Sequence, residues 1–215
     1  MGFVVDIKGR RSHRIVEQGL RVLVNLLHRG ACGCEAATGD GAGILVQMPD
    51  RFLRKVTAPL GITLPPAGCY SAGFVFLPHA EAAREQVRGV FEGIIREEGQ
   101  QLLGWRSVPT DDRLLGASAV DAEPRFEQVF IGCGSGFDAS DPETPARFER
   151  KLYVIRKRAE HAIDQLAAES PDTRAFYIPS LSAKTLIYKG MLIADQIVPM
   201  FPDLADPDFE SALAL

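Results

Sequence analysis

The sequence predicts an α+β fold in which antiparallel sheets are covered by helices in layers. Strand-like runs recur without regular β-α-β alternation, hairpin-like turns join several of them, and three amphipathic helical stretches are interspersed. With 46% hydrophobic residues in a chain of 215, there is ample apolar material for a core. The 24 Lys plus Arg stand against 28 Asp plus Glu, a formal net charge of −4, so no general attraction to nucleic acid or to an anionic membrane is expected. No apolar run approaches the roughly 18 residues that would span a bilayer, and no basic leader precedes an apolar segment. Nucleic acid and membrane are therefore not expected as partners, and a cytoplasmic location is the default expectation.

Taken in order, residues 1–7 (MGFVVDI) are apolar and β-branched and read as a strand beginning at the first residue. A basic, Gly-containing turn leads to Ser12, a good N-cap for a helix running to about Leu27. Ile15, Val16, Leu20, Leu23 and Leu27 fall on one face of it, which is expected to cover a sheet from one side. Residues 43–48 read as a buried strand, followed by Pro49 and a short helical piece near Phe52. The stretch 57–68, with three prolines and two glycines, is a surface connector. Next come a strand at 70–77 and a second helix at about 79–98, with Val87, Val90, Phe91, Ile94 and Ile95 on its apolar face. Strands at 101–108 and 123–131 follow.

Residues 132–145 (GCGSGFDASDPETP) read as a surface loop. Their alternating glycines resemble a phosphate cradle, but no Lys-Ser/Thr follows and no G-x-G-x-x-G opens a helix. The third and longest helix occupies 146–169, with Phe148, Leu152, Ile155, Ala159, Ala162, Ile163 and Leu166 in one stripe. Arg156, Lys157 and Arg158 lie between those core positions and read mostly as a solvated face. Strands at 175–179 and 185–188, a tight turn at Lys189 and Gly190, and a short helix around 191–198 come next. The final stretch, FESALAL, is apolar and periodic and looks cut through an element.

The densest information lies in residues 25–49, NLLHRGACGCEAATGDGAGILVQMP, where a helix end, an HRG turn, two cysteines, a GDGAG turn and an apolar strand share one segment. Its glycines at 30, 33, 39, 41 and 43 permit positive φ and close backbone approach, as a chain needs when it doubles back beside a strand or a ligand. The segment reads as the wall of an active site; a tight connection in an ordinary α+β domain is the plainer alternative. The cysteines, Cys32, Cys34, Cys69 and Cys133, make a C-x-C and two isolated residues, which fits neither a C-x-x-C pair nor a disulfide framework. Reduced thiols are expected, and no metal site is assigned. His13, His28, His79 and His161 are scattered, without partner spacing to Asp, Glu or His, and are read as structural.

Four strings, LLHRGACGCEAATGDGAGILVQMP, GWRSVPTD, FERKLYVIRKRAEHAI and FYIPSLSAKTLIYKGML, resemble in order and spacing the glutamine amidotransferase domain at the N-terminus of the glutamate synthase large subunit. The resemblance runs over residues 1–215. HRG is shared more widely among class II glutamine amidotransferases, whereas GDGAGI and SLS-x-x-T-x-x-YKGML point to the glutamate synthase branch. The resemblance implies an N-terminal nucleophile hydrolase fold, a four-layer αββα sandwich of antiparallel sheets, and for this chain a partial domain over 1–215, incomplete at both ends. It implies release of ammonia from L-glutamine for transfer to 2-oxoglutarate, in glutamate biosynthesis and nitrogen assimilation. In that family the first residue of the mature chain is a cysteine whose thiolate attacks the glutamine side-chain amide. Its own α-amino group, of pKa about 8, takes the proton. Ammonia then passes to the synthase region of an oxidoreductase. The resemblance implies FMN and an iron–sulfur cluster for that region and none for this chain, with the remaining synthase domains and a small subunit as partners.

The sequence departs from the family pattern at its start. The family begins Cys-Gly-Val/Ile-Gly-Phe, whereas Met1-Gly2-Phe3 places Met1 at the third residue of that motif, so the nucleophile expected two residues earlier is absent. Cys32, Cys34, Cys69 and Cys133 cannot replace it, because none carries a free α-amino group. The chain also stops before the family's His-Ser-Arg-Phe-Ser-Thr-Asn segment and before the asparagine and glycine of the oxyanion hole. The expectation is a fragment from a gene break or a misplaced start, inactive alone; a non-catalytic binding or assembly module, or a non-functional remnant, is the alternative.

No catalytic residue is assigned. By the resemblance, Arg29 and Gly30 line the nucleophile's pocket; from the residues alone, Arg29 is a helix C-terminal cation and Gly30 a C-cap. Asp40 and Gly41 complete the pocket wall or shape the turn before the strand. Tyr188, Lys189 and Gly190 border the site or face the synthase region.

Overall fold

The computed structural model describes residues 1–29, 35, 37–137 and 140–215. Its elements begin with β1 (Val4–Val5), α1 (His13–Asn25), β2 (Ala42–Gln47), α2 (Asp50–Thr57), β3 (Tyr70–Leu77) and α3 (Glu81–Glu97). They continue with β4 (Gln101–Ser107), α4 (Ala117–Asp121), β5 (Arg125–Gly132), α5 (Thr144–Glu169), β6 (Tyr177–Ser182), β7 (Thr185–Gly190), α6 (Ile197–Met200) and β8 (Leu213–Ala214). Two four-stranded sheets with their helices make the fold α+β, as the sequence predicts. The chain divides into two compact units, one of Met1–Lys55, Val108–Glu123 and Leu186–Leu215, the other of Val56–Ser107 and Pro124–Thr185. No helix among the described residues is long and apolar enough to cross a membrane.

In the first unit the sheet order is β1-β8-β2-β7. β8 runs antiparallel to both neighbours, with Val4 opposite Ala214, Val5 opposite Leu213, and Val46 opposite Ala214. Leu45 and Leu215 exchange both backbone hydrogen bonds, at 2.8 and 2.9 Å. α1 lays Ile15, Val16 and Leu20 against this sheet. Gly19 permits the contact: a Cβ there would fall 2.5 Å from the Ala214 Cβ, so any larger residue would push the helix off β8.

Several expectations for this unit are corrected. The strand foreseen over 1–7 is confined to Val4–Val5, with one further backbone bond from Asp6 N to Ala212 O at 2.9 Å, and Met1, Phe3 and Ile7 stay exposed. Beyond it the Asp6 carboxylate accepts from Lys8 N and Arg10 N, which turns the chain away from the sheet. The first helix ends at Asn25, two residues early, because Leu26 N bonds to both Val22 O and Leu23 O and the chain tightens into the 3-10 turn Leu27–Arg29; Leu27 is exposed. Lys189 and Gly190 continue β7 and form no turn. The helix foreseen around 191–198 is a 3-10 turn, Ala194–Gln196, running into the four-residue α6. The terminal apolar stretch, whose periodicity reads as helical, instead holds the strand β8.

In the second unit all strands of the order β4-β5-β3-β6 run antiparallel, Phe74 pairing with both Gln128 and Ser180. Alternation puts Val75, Leu77, Val129 and Ile131 on one face. There they meet Val87, Phe91, Ile94 and Ile95 of α3 and Phe148, Leu152, Ile155, Ala159 and Ile163 of α5, all buried. Each large side chain so buried contributes roughly 1.5–3 kcal/mol, so this cluster dominates the unit. The apolar stripes foreseen for both helices face it, except that Ala167 takes the buried place expected of Leu166. Glu98, just past α3, accepts from Lys151 at 2.9 Å and Arg158 at 2.7 Å, tying the two helices together. Arg156 and Lys157 pair with Glu160 of the same helix at 2.7 and 2.6 Å, so of the basic run only Arg158 reaches across to the end of α3. Pro179 sits in the edge strand β6 beside a register shift between Phe74 and Phe76, where a missing N–H costs no ladder bond.

Candidate active site

Glu35, Ala37 and Thr38, on the way from α1 to β2, are held in place from two sides. The Glu35 carboxylate accepts from Thr38 Oγ1 at 2.7 Å, Ala117 N at 2.8 Å and Ser118 N at 3.2 Å. These donors, the Thr38 hydroxyl first, hold its pKa down at about 2, so Glu35 is charged throughout the ordinary pH range. Gly116 N reinforces the link by donating to Ala37 O at 3.0 Å. From the other side, Gln196 Nε2 donates to Ala37 O at 2.9 Å and to Leu114 O at 2.7 Å, while its Oε1 accepts from Ile193 N.

Beyond this anchor the chain passes through three positions where the backbone of β7 and its continuation comes very close. A Cβ at Gly39 would fall 2.4 Å from Leu192 O, and one at Gly43 would fall 2.6 Å from the Lys189 Cβ and 2.9 Å from Tyr188 O. Gly41 adopts φ +135°, a conformation that L side chains rarely take, and its Cβ would lie 3.5 Å from Gly190 O. The structure therefore brings together two sets that the sequence places far apart, Asp40 and Gly41 with Tyr188, Lys189 and Gly190. Asp40 is exposed at this junction, and Lys189 and Gly190 are half-buried.

Tyr188 is fully buried: its ring packs edge-on against Phe201 and Phe209, and its hydroxyl donates to Asp203 Oδ2 at 2.6 Å. It braces the junction from inside. Arg29 ends the 3-10 turn that precedes the segment. Gly30 lies outside the described residues, as do Cys32 and Cys34. His13 Nδ1 meets Phe209 O at 3.0 Å, His28 Nδ1 meets Asn25 O at 3.1 Å, and His161 pairs with Gln165. Among the described residues no three His, Cys, Asp or Glu stand together in a way that could hold a metal ion.

Sequence reasoning missed Glu35 and Gln196, which tie Ala37 and Thr38 to Leu114, Ala117 and Ser118. A weak local signal existed, the three-residue spacing of Glu35 and Thr38, but the other partners of both residues lie far along the chain. The arrangement is a close-packed backbone junction with one exposed carboxylate, Asp40, beside it.

This α+β chain belongs to the class-II glutamine amidotransferases: a sequence profile of that family, Glutamine amidotransferases class-II, matches residues 1–215. Within that family it is similar to glutamate synthases. It is 42% identical over 215 residues to the glutamate synthase [NADPH] large chain of Bacillus subtilis (strain 168), a match covering 100% of this chain and 13% of that protein. Identity is 38% over 216 residues to glutamate synthase [NADH] of Schizosaccharomyces pombe, covering 100% of this chain and 10% of the relative. With ferredoxin-dependent glutamate synthase 2 of Synechocystis it is 32% over 215 residues, covering 100% and 13%. The chain thus spans a small part of the length of these relatives.

Proposed function

We propose that this chain forms the glutamine-handling part of a glutamate synthase-type enzyme, in which ammonia is released from L-glutamine and added to 2-oxoglutarate in nitrogen assimilation. The observation that carries the reading is the junction of Asp40–Gly43 with Tyr188–Gly190, two motifs of the resemblance that meet at neighbouring strands β2 and β7. In this reading Arg29, Gly30, Asp40 and Gly41 wall the glutamine pocket, and Lys189 and Gly190 border it. FMN and an iron–sulfur cluster belong to other regions of such an enzyme, whose remaining domains and small subunit are this chain's partners in the cytoplasm. Calorimetric titration with L-glutamine tests the pocket. Binding that is absent with D-glutamine and weakened by Gly41→Ala is expected; equal behaviour toward the two enantiomers overturns the reading.

A second reading concerns catalysis by this chain alone. Of the thiols among the described residues, Cys69 is buried. Burial first, and the neighbouring Cys69 next, push the Cys133 thiol up to about 12. A thiol protonated at neutral pH is a poor nucleophile. We therefore assign the isolated chain a binding role without glutaminase activity. Purified protein is expected to release no ammonia from L-glutamine, and release that disappears in Cys133→Ser would overturn the assignment.

A further inference from the structure

Cys69 and Cys133, isolated in the sequence, are neighbours in the fold. The register that sets Tyr70 opposite Gly132 brings these two cysteines opposite each other one step further out, and the Cys133 N–H donates to Cys69 O at 2.9 Å. Residues opposed in a hydrogen-bonded antiparallel pair have Cα atoms about 5.5 Å apart, inside the roughly 4.4–6.8 Å that a disulfide spans. Alternation sends both side chains to the same face of the sheet. Both are free; Cys69 is buried and Cys133 is partly exposed. Cys133 lines a cleft of about 510 Å³ together with Arg96, Gln100, Leu102, Gly134 and Ser135, so a small reagent reaches it from solvent. The loop after Cys133 is fixed in place by Gly134 N donating to Gln100 Oε1 at 3.1 Å.

We propose that Cys69 and Cys133 form a reversible thiol-modification site, oxidised through this cleft to an intramolecular disulfide by a low-molecular-weight disulfide. Cys133, in the small fraction that is deprotonated, attacks one sulfur of the small disulfide, slowly at neutral pH and faster as pH rises; that S–S bond breaks, and the first small thiol leaves with the proton Cys133 gave up. The Cys69 sulfur, losing its own proton, then attacks the Cys133 sulfur of the mixed disulfide and expels the second small thiol, which takes that proton. Two electrons pass from the protein dithiol to the small disulfide, and the new bond ties the turn before β3 to the glycine-rich loop after β5.

The test uses the full 215-residue chain with Cys32→Ser and Cys34→Ser, incubated with oxidised glutathione. The expected result is loss of both titratable thiols, a mass lower by two hydrogens, and a Cys69–Cys133 linked peptide, all reversed by dithiothreitol. With Cys69→Ser added, glutathione stays attached at Cys133. Retention of both thiols, a lasting glutathione adduct on Cys133 while Cys69 is present, or a bridge between molecules overturns the proposal. Peptide mapping of the oxidised wild-type chain covers the case that the variant does not fold: the Cys69–Cys133 peptide is expected there too, and its absence overturns the proposal.

Discussion

The Tyr188 hydroxyl donates to Asp203 Oδ2 at 2.6 Å, within a buried ring cluster that includes Phe201 and Phe209. Tyr188→Phe keeps the ring and removes the donor from a buried acceptor. Such a loss costs about 1–3 kcal/mol, and in a chain of this size each kcal/mol lowers Tm by about 2–4 °C. Thermal melting followed by circular dichroism checks this, with Tyr188→Ala expected to fall further because a cavity is added.

Gly41 holds φ +135° where β2 begins, with Gly190 O 3.5 Å from the position a Cβ would take. Gly41→Ala is expected to destabilise the fold by about 1–3 kcal/mol, chiefly through backbone strain. Gly136→Ala is the control: no atom lies within 4 Å of its Cβ position and its φ is not positive, so denaturant unfolding is expected to stay within about 0.5 kcal/mol of wild type.

Glu35 has its pKa lowered from 4.5 to about 2, by the Thr38 hydroxyl first and then the Ala117 and Ser118 amides. The folded value lies below the unfolded one, so its contribution to stability is present above pH 4.5 and is lost as pH falls toward about 2. An NMR titration of the Glu35 carboxyl carbon is expected to show a midpoint near 2. The Tm difference between wild type and Glu35→Gln should shrink across the same acid window. A midpoint at the ordinary glutamate value would contradict the three hydrogen bonds.

Cys133 carries the opposite kind of shift, upward to about 12, with burial as its main cause. Alkylation of Cys133 by iodoacetamide, read by peptide mass, is expected to speed up about tenfold per pH unit from neutral pH to pH ~10 without levelling off. A plateau near the ordinary thiol value would mean that Cys133 is solvated.

The parts of the fold legible in the sequence were those whose pattern is local. α3 and α5 repeat apolar residues every three or four positions, and β3 is a continuous apolar run, so their positions follow from short-range periodicity. The misread parts depend on distant partners. β8 is two residues long and exists only because Val4, Val5 and Val46 supply its neighbours. Lys189 and Gly190 look like a turn in isolation, yet they stay extended because glycines at 41 and 43 let β2 come close. The candidate site divides in the same way. Its glycines were visible in the motif, whereas Gln196 and the amides at Ala117 and Ser118 reach it only through tertiary contacts. The pairing of Cys69 with Cys133 was hidden too, since a strand register is needed to set them opposite each other.

The place of β8 between β1 and β2 bears on how the protein is made. A ribosome releases Val4 and Val5 some two hundred residues before it delivers Leu213 and Ala214, and until then both β1 and β2 lack the strand that joins them. Closing so wide a loop is slow. The second unit, complete once Thr185 has emerged, can assemble its own sheet during translation. In the interval the nascent chain presents one finished body and one open edge, and that edge is where chaperones would be most needed.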